Sequence, residues 1–548
     1  MDLATKLRTN YRPTTEAEIH QLKAMLSEKA KRLEALRDAK IAFQTALSKL
    51  LAEEAVLRAD YDEHKRLLAP IRRLPPEMLQ LIFIACLSGR NCIMSRQTPP
   101  LVLGRVCSEW RHISQATPQL WSRLHVVEPE DPSSVPERRR DNPRLQLRAD
   151  ATRTWLSRSG LQPLCLSLDG VPNGVSRWKS PRTEILLDAL IEFSPRWRHL
   201  SVSISRDCAA RLLALAPPDV PLLQTLHLTH PHDPVGTYNW TTVSMLSVLR
   251  GFSTGSTRAF NFDQLPLAWS NLTYISLATN PFTIPMELNS NTAIIILNRC
   301  PALEAAELAI RQLPVTSETQ TAVCPCLHTF KIYISNASPR GIVRLLDRLS
   351  FPILRTLSLH GVPRVDENRR DSNDFTRIFS QYSALTALSI GMSILFKGSF
   401  SQILRAMPPS IERLHILASH AIRVVNGQPE TRSALDDDTL ALLGANCASL
   451  RELVIRSCFA PSDEAIIRFI ADAPALRRVE IDFEFSRQPD ECSGSAEEVQ
   501  ERVRAVAGHV NATLSYRPRS WSVSRGLERA DTLEKIWNPS LGWADFSL

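Results

Sequence analysis

Apolar residues recur along the first seventy positions at alternating steps of four and three. Leu22, Leu26, Leu33, Leu36, Phe43, Leu47, Leu50, Leu57, Tyr61 and Leu68 hold this seam, and Lys29, Lys40, Glu54 and His64 interrupt it. Such spacing is the inner seam of a coiled coil. Thr15-x-x-Glu18 fits a capping box, Pro13 lies just outside it and Pro70 stops the run, so one long helix is predicted over 14–68. At 1.5 Å per residue it would be a rod of about 80 Å. The seam predicts self-association or pairing with another protein's helix; the competing reading is a solvated helix folding back on its own chain.

The next stretch, Leu74 to Leu87, is apolar nearly all round. Pro75 and Pro76 suit a helix start. Met78, Leu81, Ile82 and Ala85 then fall on one face and Leu79, Phe83 and Cys86 on a second, with only Glu77 and Gln80 polar. A helix of this kind must be buried on more than one side, which asks for a partner. A second helix is predicted from Pro99-Pro100, carrying Val102, Val106, Trp110 and Ile113 at helical spacing. A third, short one is announced by Thr117 as N-cap and Pro118, followed by Leu120, Trp121 and Leu124.

Leu74-Pro75-x-Glu77-x-Leu79-x-x-Ile82-Phe83, followed by Val106-Cys107-x-x-Trp110-Arg111-x-Ile113, resembles the F-box. Thr117-Pro118-x-Leu120-Trp121 is similar to the variant common in F-box proteins of mushroom-forming fungi. The match covers about a tenth of the chain. The connection Ser88–Thr98 is longer than in a minimal F-box, an insertion that costs little in loop closure. The resemblance implies a three-helix F-box over 69–126 that docks on the Skp adaptor of a Skp-cullin-F-box ubiquitin ligase. By residue type, Leu74, Pro75, Leu79, Ile82, Phe83, Val106, Cys107 and Trp110 are the expected adaptor contacts.

A six-residue unit then recurs. Its copies begin at Leu223, Leu272, Leu303, Leu327, Leu354, Leu385, Ile411, Leu450 and Leu476, each followed by apolar residues at the fourth and sixth positions, as in Leu354-Arg-Thr-Leu357-Ser-Leu359. Weaker copies lie at Leu164–Leu168 and Leu200–Ile204. This is the strand of a leucine-rich repeat at irregular spacing, with helical stretches such as 292–299, 341–349, 400–407, 437–446 and 463–473 between strands. One strand and one helix cannot close a core, so the units must stack into a solenoid with a parallel sheet, predicted over 161–486. The fold class expected is α/β: a long N-terminal helix, the F-box, and this solenoid. A linker at 127–160 containing Arg138-Arg139-Arg140 precedes it, and a cap and tail at 487–548 follow.

Alternation along each strand sends the residues between the anchors to the concave face. His227, Tyr274, Lys331, Tyr333, His360, Arg413, His415, Arg456 and Arg478 are the candidate target-binding residues, alongside Thr225, Ser276, Glu307, Ser358, Glu452, Glu480 and Asp482. The mixed sign and amphipathic aromatics fit a protein target; a nucleic-acid groove would carry a continuous basic stripe. The arginine run reads as a solvated loop, with nuclear import as its competing reading. In the tail, Val499, Val503, Val506 and Val510 predict an amphipathic helix over 496–514, with Val503 and Val506 capping the solenoid, and Trp521, Trp537 and Trp543 are alternative partner-binding positions.

Composition changes this picture little. The 548 residues carry 65 basic and 57 acidic side chains, a net charge of +8 too evenly spread to be a nucleic-acid footprint. No apolar stretch has signal-peptide or bilayer-spanning length, and the 11 cysteines show no pairing framework, so a cytoplasmic or nuclear protein is expected. Cys324-Pro325-Cys326 lacks a second ligand pair at zinc spacing. Asp436-Asp437-Asp438 precedes an apolar run, where acids suit a helix N-terminus. No nucleophile elbow, phosphate loop or paired-histidine helix occurs, so the expectation is a non-enzymatic adaptor without cofactor or metal. Its expected partners are a Skp-type adaptor, a cullin ligase and a protein target. The alternatives are a scaffold whose F-box serves another assembly without degradation, and a coiled-coil structural protein.

Overall fold

The computed structural model describes residues 12–87, 89–128, 143–170, 182–229, 243–254, 265–277, 288–311, 320–337, 339–363, 378–379, 381–391, 397–417, 424–425, 428–429, 435–458, 461–483, 496–506, 508 and 510–516. The chain forms two units, one up to Leu81 and one from Ile82 onward. The arginine run at 138–140, Asp482's side chain and the three tail tryptophans lie outside what is described.

The first unit is dominated by α1 (Glu16–Leu67), 52 residues of unbroken helix with no buried residue. Thr15 is its N-cap in extended conformation, but the threonine side chain makes no capping bond, so the predicted capping box does not form. Charge placement supports the ends instead: Glu16 and Glu18 lie in the first turn and His64, Lys65 and Arg66 in the last, complementing the helix dipole. A 3-10 turn at Pro70–Arg73 follows, and α2 (Pro76–Ala85) opens on the second proline.

In the second unit the predicted continuous helix after Pro99-Pro100 is broken. A 3-10 turn at Leu103–Arg105 is followed by α3 (Ser108–Gln115), because Cys107 turns extended and its Sγ accepts the Trp110 N–H at 3.4 Å as an N-cap. Thr117 does not cap the third turn, Pro118–Trp121, either; its hydroxyl donates back to Ile113 O at 2.7 Å. The Trp121 indole N–H donates to Ser114 O at 2.8 Å, fastening that turn to α3.

Fourteen parallel strands then form one sheet whose spatial order is the chain order. They are β1 (Arg123–Val127), β2 (Leu164–Asp169), β3 (Trp197–Ser203), β4 (Thr225–Thr229), β5 (Gly251–Thr254), β6 (Tyr274–Leu277) and β7 (Ala305–Arg311). Next come β8 (Thr329–Ala337), β9 (Thr356–Pro363), β10 (Ala387–Gly391), β11 (Arg413–Leu417), β12 (Glu452–Cys458), β13 (Arg478–Phe483) and β14 (Asn511–Tyr516). Helices return the chain between many of them: α4 (Pro143–Arg158), α5 (Arg182–Ile191), α6 (Arg206–Leu213), α7 (Ser290–Arg299), α8 (Pro339–Leu346), α9 (Lys397–Ala406), α10 (Asp437–Asn446), α11 (Asp463–Asp472) and α12 (Ala496–Val506). The repeat anchors fill the space between sheet and helices: Leu226, Leu228, Ile275, Leu277, Leu308, Phe330, Leu357, Leu388, Leu414 and Val479 are all buried. Each such side chain contributes roughly 1.5–3 kcal/mol of hydrophobic stabilisation.

Several boundaries differ from expectation. The sheet starts within the F-box-like stretch, because Trp121-Ser-Arg-Leu124-His-Val126 is itself a copy of the unit with tryptophan as first anchor. The predicted linker contains α4, whose Leu145, Ala149, Trp155 and Leu156 are buried, with Trp155 edge-on to Trp121 at 4.9 Å. The insertion lies on the free edge of β1: Ile93 bridges His125, and the His125 N–H donates to Cys92 O at 2.7 Å. Covering an edge in this way removes a template for aggregation. At the other end the helix runs to Val506 and β14 follows; Val503 is buried and Val506 is exposed.

Helix starts show the acid placement expected. Asp436 caps α10, its carboxylate accepting the Thr439 N–H at 3.0 Å while the Thr439 hydroxyl accepts the Asp436 N–H at 2.7 Å. Close approach fixes one glycine. Gly361 in β9 pairs with Ile334 in β8, and a Cβ there would be driven into the Ile334 carbonyl oxygen. Gly361→Ala should therefore cost about 1–3 kcal/mol, read as a lower urea midpoint; an unchanged midpoint would show that the two strands part freely.

Candidate functional site

The residue between the last two anchors of each copy points to the concave face, and strand pairing puts all fourteen in one row. In chain order the row runs His125, Ser167, Ser201, His227, Ser253, Ser276 and Glu307, then Lys331, Ser358, Ser389, His415, Val454, Glu480 and Thr513. Only Val454 is apolar. With strands about 4.8 Å apart, the row extends for about 60 Å along the sheet.

From His125 to Ser276 the row carries only histidine and serine side chains. His125 Nδ1 lies 2.8 Å from Ser167 Oγ, His199 Nδ1 lies 2.7 Å from Thr225 Oγ1 in the adjoining row, and His227 Nδ1 lies 2.6 Å from Ser253 Oγ. The Tyr274 hydroxyl is tied to Ser253 and Ser276, and burial next to Glu307 pushes its pKa up. Burial also drives His227 down to about 4, and His199 to about 4 with help from the nearby guanidinium groups of Arg198 and Arg123. Both imidazoles are therefore neutral hydrogen-bonding groups near pH 7.

Charge enters at β7. The Ser276 hydroxyl donates to Glu307 Oε2 at 3.3 Å; burial raises the Glu307 pKa, while Lys331 beside it and this hydrogen bond pull it back. Tyr333 stacks on His360 with ring centroids 5.3 Å apart, and the Ser389 hydroxyl lies 3.2 Å from His360 Nε2. Burial first, then the charge of Lys331 and the neighbouring His415, holds His360 at about 4.

The last strands carry an ionic cluster. Arg478 reaches Glu452 at 3.0 Å and Glu480 at 3.1 Å, and Arg456 reaches Glu480 at 2.7 Å. His415 Nε2 lies 3.8 Å from Glu452; burial lowers its pKa, and the carboxylate opposes that shift. Of the candidate target-binding residues, His227 and His360 are 7% and 9% exposed, while Tyr274, Lys331, Tyr333, His415 and Arg456 are half-buried and Arg413 and Arg478 are exposed. The structure gathers these residues into three groups: His227 with Tyr274, Lys331 with Tyr333 and His360, and Arg413, His415, Arg456 and Arg478. His227 belongs to the floor of the face, with little surface to offer a target.

The F-box-like residues divide more sharply. Leu79 and Phe83 are buried, Phe83 completely, with its ring 4.8 Å from that of Trp110. They are corrected from contact positions to core positions. Leu74, Ile82, Cys107 and Trp110 are half-buried, and Cys107 works as a helix cap; Pro75 and Val106 are exposed. Met78 and Leu81, three apart on one side of α2, are 47% and 60% exposed, and Val106 is 59% exposed. Among the described residues no group of His, Cys, Asp and Glu is arranged to hold a metal ion, and no helix is long and apolar enough to cross a membrane.

No protein-family model matches the chain, and no curated protein matches its sequence. Three solved structures similar to it are distant in sequence. The yeast Rad7–Elc1 complex contains a chain 13% identical, with a TM-score of 0.36, over 85% of this chain and 98% of that one. The mouse RP105/MD-1 complex contains one 11% identical, with a TM-score of 0.29, over 70% and 67%. A leucine-rich-repeat protein of Leptospira interrogans is 13% identical, with a TM-score of 0.21, over 60% and 98%. The repeat architecture of this chain stands on its own strands and register.

Sequence reading missed His125, Ser167, Ser201, Ser253, Ser389, Val454 and Thr513 as members of the row. Ser253 escaped because its unit, Leu249-Arg-Gly-Phe252-Ser-Thr254, ends in a buried threonine in place of an aliphatic anchor. Met78 and Leu81 were visible as apolar, but only the packing says which face stays uncovered.

Proposed function

We propose that the chain is a substrate-recognition adaptor of a Skp-cullin-F-box ubiquitin ligase, with the F-box-like stretch docking a Skp-type adaptor and the concave row holding a protein target. One observation carries this reading. Helix α2 is apolar nearly all round, yet it buries only part of that surface, leaving Met78 and Leu81 in solvent. Burying two such side chains in a partner would contribute roughly 1.5–3 kcal/mol each, enough for them to act as interface anchors. The resemblance of this stretch to the F-box supports a Skp-type adaptor as their partner. The row supplies neutral hydrogen-bonding groups, an aromatic stack and an ionic cluster, a chemistry suited to a protein surface. Ubiquitin transfer would then be promoted by proximity alone, in the cytoplasm or nucleus, without a catalytic residue on this chain.

The test is co-expression of the full chain with a Skp-type adaptor, read by co-elution in size-exclusion chromatography. Met78→Asp plus Leu81→Asp should abolish co-elution while the circular dichroism of the solenoid is kept, since both side chains are exposed. A wild-type chain that ignores the adaptor, or a double variant that still binds it, would remove the proposal.

A further inference from the structure

We propose that α1 pairs with α1 of a second copy in antiparallel register, the two-fold axis passing between Ile41 and Ala42. The helix is continuous over 52 residues and buries nothing, while its whole seam, Leu22 to Leu68, is exposed. An exposed apolar stripe of that length needs an occupant. The charges interrupting the seam say which one.

In a parallel pair each seam residue meets its own copy, so Lys29 would face Lys29, Lys40 would face Lys40 and Glu54 would face Glu54. In an antiparallel pair turned about the helix midpoint, residues face when their numbers sum to 83, twice the midpoint of Glu16–Leu67. Lys29 then faces Glu54 of the second copy, and Glu54 its Lys29. Lys40 meets Phe43, across which its stem can lie with the ammonium in solvent. Of the remaining layers, Leu22 with Tyr61, Leu26 with Leu57, Leu33 with Leu50, and Leu36 with Leu47 are apolar or aromatic, and His64 meets Ile19 near the helix ends. On the flanks, where neighbouring numbers sum to 85 on one side of the seam and 81 on the other, Arg32 lies beside Glu53 and Glu16 beside Lys65, against one like-charged contact, Lys23 with Arg58. Small side chains, Ala39, Ala42 and Ala46, cluster where the axis crosses, beside an open hollow lined by Leu36, Lys40, Phe43 and Leu47. The register that pairs Lys29 with Glu54 is also the one that overlaps the two helices end to end.

The test is the mass of the full-length chain by sedimentation at tens of micromolar. Wild type should be dimeric. Glu54→Lys puts like charges into two layers of the antiparallel pair and should weaken dimerisation by roughly tenfold or more. Adding Lys29→Glu restores both pairs and should restore wild-type affinity. Glu54 is 65% exposed and pairs with Arg58 at 3.7 Å on the same helix, so neither variant disturbs a core. A monomeric wild type overturns the proposal. So does a Glu54→Lys chain that dimerises as tightly as wild type, or a double variant no better than the single one, since a parallel pair has like charges in all three cases. Capture of a different protein's helix in place of self-pairing would also overturn it. None of these outcomes bears on adaptor binding through α2.

Discussion

Between pH 6.5 and pH 4 the solenoid should lose several kcal/mol of stability. His199, His227 and His360 are held at about 4 in the folded chain against an ordinary value of 6.5, chiefly by burial. As pH falls through 6.5 the unfolded chain takes up these protons and the folded chain does not, so the unfolded state gains. Their contribution is complete above 6.5 and is lost progressively down to about 4. One unit of pKa is 1.36 kcal/mol, so a single histidine displaced this far is worth about 3 kcal/mol. Glu307 acts in the opposite sense, because its raised pKa favours the folded state at low pH. One carboxyl does not offset three imidazoles. Urea midpoints at pH 7.5, 6 and 5 read the effect, and His227→Asn should flatten part of the slope. A midpoint unchanged across that range would mean that the row admits water and protons freely.

Phe83→Ala should cost about 3–5 kcal/mol, the range for removing a fully buried phenyl ring. The ring is completely shielded and packs on Trp110, and the aromatic pair adds to the area term. Met78→Ala and Leu81→Ala, on the exposed side of the same helix, should lie within about 0.5 kcal/mol of wild type. Urea denaturation followed by tryptophan fluorescence compares the three. A loss below about 1 kcal/mol for Phe83→Ala would show that the site collapses around the gap or that the ring is not a core element. The contrast also says how adaptor binding must be probed: substitutions at Leu79 or Phe83 confound folding with docking.

Much of this was legible in the sequence, because a buried anchor every few residues leaves a periodic mark. The copies from Leu223 to Leu476 named their strands, and alternation named the concave side of each. Two kinds of information were missing. Anchors of unusual chemistry, Trp121 in the first unit and Thr254 in the fifth, broke the template although both are buried. Depth was the other. The same polar position is floor at His227 and surface at Arg413, and crowding by neighbouring strands decides between them. In the F-box-like stretch, helical spacing separated two faces, and the expected adaptor contacts drew on both, Ile82 from one and Leu79 and Phe83 from the other; packing covers the last two. Cys107, read as an apolar contact, ends a 3-10 turn and starts a helix through its sulfur.

Strand order identical to chain order has a consequence for how such a chain changes length. Every internal strand pairs only with the copies before and after it in sequence, so excising or duplicating one whole unit leaves each remaining strand with a neighbour on both sides. The polar row is carried by the same units, one residue per copy, and is lengthened or shortened with them. A lineage can therefore revise its concave face by inserting a copy or by exchanging the single residue between two anchors, with the hydrophobic core untouched.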